Sequence, residues 1–160
     1  MRLYYTKPEL KDLSQGSRIA FIRQFRKMTQ DDVSDKLGIT GDNKRRTMTR
    51  YEKGQRNPND DRTLEISKIL NVSYNAVKRY DYKDPVDICY ILLWLDELIP
   101  KYQMDLSKVM PLDNNYPEYI TKFLSELEIM RNKRANKEIS YEDYIEWKIN
   151  YEGVDKLWVN

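Results

Sequence analysis

Apolar residues recur at helical intervals along most of the chain, and clear alternating strand patterns are hard to find. In the first half this pattern predicts five short helices. The first runs from about Ser17 to Lys27, with Ile19, Ile22 and Phe25 on or near one face. The second opens at Thr29, a capping residue, with Asp32 placed to reach back from the third helical position. Val33 and Leu37 point inward, and Gly38 is a natural stop. Ile39 to Asp42 forms a turn, in which Thr40 reads as a capping residue. A third helix follows from about Asn43 to Lys53 and stops at Gly54. It buries Met48 and Tyr51, which leaves Arg46, Thr49, Arg50 and Lys53 mainly on its other faces. A fourth helix covers about Asp60 to Leu70, and a fifth runs from Ser73 to about Tyr80.

In the second half, Val86 to Ile99 reads as one helix ended by Pro100, with Ile88, Ile91, Leu92 and Leu95 as its buried face and Trp94 and Leu98 beside it. The stretch Gln103 to Asp113 is open between a short strand and an irregular loop. Pro117 suits the first turn of the next helix. Tyr116, Ile120, Phe123, Leu127 and Met130 then follow at heptad-like spacing, a seam suited to a dimer interface. Ser140 and Asp143 open a last helix with a second capping box. The expected fold class is therefore all-α.

Charge divides this helical chain in two. The 160 residues carry a net charge of +2, but residues 1–80 hold 18 basic and 10 acidic side chains, and residues 81–160 hold 10 and 16. The sign changes near Asp81 to Pro85, so the expected domains are 1–82, with a core at about 15–80, and 83–160. A basic module joined to an acidic one suggests nucleic-acid binding by the first. Between Ser17 and Arg56 lie eleven basic and five acidic residues, a balance suited to a phosphate backbone.

Composition removes other chemistries. The chain has no histidine, which excludes histidine triads, histidine-ligated metals and a histidine general base. A single cysteine, Cys89, permits neither an intrachain disulfide nor a thiolate cluster. Its apolar setting favours a buried, inert thiol over a redox switch. Glycine-rich phosphate loops are absent, and no nucleotide, metal or other cofactor is expected. The carboxylates Glu126/Glu128 and Glu142/Asp143/Glu146 read as solvated helix faces rather than an acid-chemistry or metal site. The apolar run Ile88 to Leu95 is far short of the roughly 20 residues that span a bilayer, and Met1 to Leu10 has no signal-peptide core. The expected location is the cytoplasm.

Four segments in combination carry a resemblance: Thr29-Gln30 opening the second helix, Leu37-Gly38 closing it, Arg50-Tyr51-Glu52-Lys53-Gly54 closing the third, and Asn71-Val72-Ser73 before the fifth. Together they resemble the Cro/CI-type (XRE-like) helix-turn-helix family of DNA-binding regulators, over roughly residues 15–80. The turn departs from the usual pattern: six residues, Gly41 to Arg46, stand where about two are usual, implying a longer loop or an extra N-terminal turn on the third helix. Residues 137–151 resemble a tail found on some Cro/CI-type regulators of Gram-positive mobile elements, which implies shared architecture and no activity.

The resemblance implies a five-helix DNA-binding domain, followed here by a small helical C-terminal domain. Gln30 matches the position that contacts the DNA backbone. Arg45, Arg46, Thr49 and Arg50 match or neighbour the base-reading positions, with Lys44 in the same basic run. Lys53, Arg56 and Asn57 lie where family members often touch phosphate. Arg23 and Glu52 match a structural ion pair. The expected function is a sequence-specific, dimeric repressor acting on a double-stranded DNA operator, with the second domain supplying a homodimer contact or a pocket for a small-ligand or protein inducer. The alternative is a DNA-tethered protein-interaction adaptor, antitoxin-like or switched by a partner protease. An enzyme is not expected.

Overall fold

The computed structural model describes residues 7–109 and 116–152. The chain divides into two compact units, Met1–Arg79 and Tyr80–Asn160. Among the described residues every regular element is helical, and no helix is long and apolar enough to cross a membrane.

The first unit contains α1 (Gln15–Phe25), α2 (Gln30–Lys36), α3 (Asn43–Glu52), α4 (Asp60–Leu70) and α5 (Tyr74–Val77). Each start has a local cause. Ser14 caps α1, so that helix begins about two residues before the expected Ser17. At α2, Thr29 and Asp32 form a reciprocal capping box, with Asp32 N donating to Thr29 Oγ1 at 3.0 Å and Thr29 N donating to Asp32 Oδ2 at 2.6 Å. Asn59 caps α4 and Ser73 caps α5. Gly38, at φ +71°, takes the left-handed conformation that ends α2. The core is formed by Ile19, Phe21, Ile22, Val33, Met48, Tyr51, Ile66, Leu70, Ala76 and Val77, all buried. Leu37 and Phe25 are half-buried at its margin.

Helix α5 is a single turn, shorter than expected. Lys78 is already extended, at ψ 161°. The cause is Arg18, which is 2% exposed. Its Nη1 and Nη2 donate to the carbonyls of Ala76 and Lys78, each at 2.8 Å, and its Nε donates to Leu13 O at 3.2 Å. Carbonyls at the end of α5 are thus satisfied from α1 rather than by a further helical turn.

The second unit contains α6 (Pro85–Leu98), a 3-10 turn (Ile99–Tyr102), α7 (Leu106–Val109), α8 (Glu118–Ala135) and α9 (Tyr141–Ile149). Pro100 lies inside the 3-10 turn rather than terminating the helix. The ambiguous stretch holds α7; its residues 110–113 lie outside the described ones. Pro117 stands just before α8, at the capping position, and not within its first turn.

Two expectations for this unit need correction. Helix α6 turns Val86, Cys89, Tyr90, Leu92, Leu93 and Trp94 inward, whereas Ile88 is 37% exposed and Ile91 and Leu95 are half-buried. The helix is apolar nearly all round, so periodicity does not select a face. Three of the five seam residues expected at a dimer interface lie in the unit's own core. Ile120, Phe123 and Leu127 are buried within one chain, and Tyr116 and Met130 are half-buried. Phe123 meets Tyr151 edge to face at 5.4 Å, so its ring already has a partner.

A charged cluster lies in the same interior. Lys148, 3% exposed, donates from Nζ to Asp96 at 2.5 Å and to Glu97 at 2.6 Å. Tyr144 also donates to Asp96, at 2.6 Å, and Tyr141 to Glu97, at 3.2 Å. Arg131 links Asp96 to Asp105. Burial of these phenols beside carboxylates pushes Tyr141 and Tyr144 well above the usual phenol range.

Candidate nucleic-acid interface

Helix α3 is amphipathic by residue choice. Met48 and Tyr51 are buried, and its remaining positions are polar. The lengthened turn resolves into helix: Gly41, at φ +75°, turns the chain, and Lys44 N donates to Gly41 O at 3.2 Å, so Asn43 to Arg46 form the first turn of α3. Ten residues give α3 a length of about 15 Å. Thr40 caps nothing; it is exposed, and the residue at the capping position is Asp42, whose side chain makes no cap bond.

The basic run divides by partner. Lys44 is tied back to α2 by an ion pair with Asp35, whose hydrogen bond raises the lysine pKa. Its carbonyl also accepts from Ser34 Oγ at 2.7 Å. Lys44 therefore reaches back toward α2 in a surface ion pair, its side chain 31% and that of Asp35 60% exposed. Among the described residues, the side chains of Arg45, Arg46, Arg50, Lys53 and Arg56 make no hydrogen bond or ion pair. Arg45, Arg46, Thr49 and Arg50 line one open depression with Asp42 and Gln55. Gln55 was not singled out by pattern, because it lies in an aperiodic turn.

Other cations counted in the basic stretch serve the interior. Arg26 Nε donates to Leu70 O at 2.7 Å and its Nη2 to Asn71 O at 2.9 Å, closing the end of α4. Arg23 and Glu52 form a two-point ion pair, with Nη2 to Oε2 at 3.1 Å, and Arg23 Nη1 donates to Met28 O at 2.7 Å. With Arg18, these side chains hold helices together.

Glu52 extends this pair toward the surface. Gln30 Nε2 donates to Glu52 Oε2 at 2.8 Å, and the Thr49 hydroxyl lies 3.0 Å from both Gln30 Oε1 and Arg45 O. The carboxylate only accepts, so it fixes the amide with nitrogen toward Glu52 and oxygen toward Thr49. Gln30 keeps a second N–H, and Thr49 has its proton engaged inside the site. Asn57 and Arg56 are exposed in the turn after α3, where Gln55 N and Arg56 N both donate to Arg50 O, at 2.9 and 3.3 Å.

A short helix packed across the start of a second, with an exposed cationic face on that second helix, defines the class: residues 16–80 are a helix-turn-helix domain, and they match the family described by that name. The chain is 38% identical over 64 residues to an uncharacterized HTH-type transcriptional regulator, YqaE, of Bacillus subtilis (strain 168), over 40% of this chain and 52% of that protein. It thus spans about half the length of the curated relative it matches. No solved structure is matched.

Proposed function

We propose that this protein is a sequence-specific, double-stranded DNA-binding transcriptional regulator, acting as a dimeric repressor with α3 in the major groove. The observation that carries the reading is the division of cations. Arg18, Arg23 and Arg26 have internal partners and Lys44 pairs with Asp35 at the surface, whereas the side chains of Arg45, Arg46, Arg50, Lys53 and Arg56 have no partner among the described residues and project from α3 and its following turn. Unpaired guanidiniums on an exposed helix suit bidentate bonding to guanine O6 and N7, each good pair contributing about 1–3 kcal/mol of discrimination. Gln30 serves as a backbone donor at the start of α2, and Lys53, Arg56 and Asn57 as phosphate contacts. Thr49 is assigned to orienting Gln30 and Lys44 to bracing the turn.

One α3 reaches only a few base pairs, so two copies about 34 Å apart on a pseudo-palindromic site would supply the specificity. The second unit is the proposed source of the dimer contact, through surface other than the buried seam. The test is to select binding sites from a random DNA pool and measure affinity by fluorescence anisotropy against scrambled DNA. Preference for the selected site by about 10³ or more is expected. Equal affinity for both would refute sequence-specific recognition. Sedimentation with and without the site tests the dimer.

A further inference from the structure

The chain before α1 is not part of the two helices that define the site, yet it borders them. Pro8 and Leu10 are buried, Lys7, Glu9 and Lys11 are exposed, and the segment runs as an anchored strap into the Ser14 cap. Its course is set by Gly16. A side-chain carbon at that position would stand 2.3 Å from Tyr51 O and 2.7 Å from Glu52 O. The start of α1 therefore lies directly on the end of α3, a contact that only glycine's missing side chain permits. The strap that precedes it is brought beside Glu52 and Lys53.

The result is a groove lined by Glu9 and Lys11 of the strap, by α1 residues that include Arg23, and by Gln30, Thr49, Glu52 and Lys53. Lys11 and Lys53 are both exposed, and no side-chain bond or ion pair engages either among the described residues. Glu52 is neutralised by Arg23, which lines the same groove.

We infer that this groove is an additional DNA-backbone site, in which Lys11 of the strap and Lys53 after α3 bracket phosphate next to the Gln30 amide. The inference rests on the DNA-binding reading above and extends the footprint beyond α2 and α3. A phosphate diester suits the groove because Lys11 and Lys53 are separate point charges from different segments, with the Gln30 amide donor in the same lining.

Lys11→Ala and Lys68→Ala test this in the full chain. Lys68 is exposed in the same unit and does not line the groove, so its loss controls for net charge alone. Binding is measured on selected and scrambled DNA over a range of salt. Lys11→Ala should weaken binding to both DNAs by the same factor and lower the slope of log affinity on log salt by about 0.9. If the parent protein binds DNA and Lys11→Ala matches Lys68→Ala in slope and affinity, the strap site is refuted while the DNA reading stands. If the parent protein binds neither DNA at low salt, the DNA reading fails and the strap site with it.

Discussion

Gly16→Ala sets two physical effects against each other. Alanine is the better helix former, by about 0.8–1.0 kcal/mol in a helix interior and less at the second residue of a helix. Against that, the new methyl would sit 2.3 Å from Tyr51 O, 2.7 Å from Glu52 O and 3.0 Å from Glu52 C. A carbon approaches a carbonyl oxygen to about 3.3 Å, so α1 and α3 must separate by about 1 Å. The atoms in the way are backbone, which no rotamer change removes. Overpacking of this kind costs about 1–3 kcal/mol, and steric cost prevails by about 1–2 kcal/mol. For a unit of this size that lowers Tm by about 10 °C. The two units can be read separately. Trp94, Trp147 and Trp158, all the tryptophans, lie in residues 80–160, so tryptophan fluorescence follows the second unit while circular dichroism follows both. The expected result is an earlier dichroism transition with an unchanged fluorescence transition. A Gly16→Ala protein as stable as its parent would refute the close contact and remove the reason for the strap's position.

Other substitutions probe the remaining structure. Arg50→Ala should reduce preference for the selected site over scrambled DNA, by about 1–3 kcal/mol if it reads a guanine; an equal loss on both would make Arg50 a phosphate contact. Lys148→Met leaves Asp96 and Glu97 buried without their shared cation, and should destabilise the second unit by about 3–5 kcal/mol in urea titrations followed by tryptophan fluorescence. A neutral result would mean that solvent reaches the cluster. Burial pushes the Cys89 thiol up to about 12, so a maleimide at pH 8 should label it only after unfolding; rapid native labelling would contradict its burial. The raised pKa values of Cys89, Tyr141, Tyr144 and Tyr151 give stability that is complete below the unfolded values. The second unit's urea midpoint should therefore fall progressively as pH rises above about 9, and a midpoint constant to pH 11 would contradict that sign.

What could be read from sequence was local. The Thr29–Asp32 and Ser140–Asp143 boxes depend on side chains three residues apart, and both are formed. The helical character of the described residues followed from spacing in the same way. What escaped was set by partners distant in sequence. The early end of α5 depends on Arg18, some 58 residues away from Ala76. The inward face of α6 was misplaced because an all-apolar helix carries no facial signal. In the site, Lys44-Arg45-Arg46 looked uniform as a run, and Asp35 on the preceding helix separates Lys44 from its neighbours. Lys11 gave no signal, since its place beside Lys53 depends on the approach of α1 to α3 at Gly16.

The hold of Glu52 and Thr49 on Gln30 has a thermodynamic consequence. A glutamine amide that already has both ends bonded in the folded chain has lost its rotamer freedom before any encounter. About 0.5–1.5 kcal/mol of ordering entropy per side chain is then absent from the association step at this position. Arg45, Arg46, Arg50 and Arg56 differ, since each long side chain must be immobilised as it docks. In the proposed complex the start of α2 would meet the backbone as a rigid template, and the entropic penalty of recognition would fall on the four arginines and on Lys11 and Lys53.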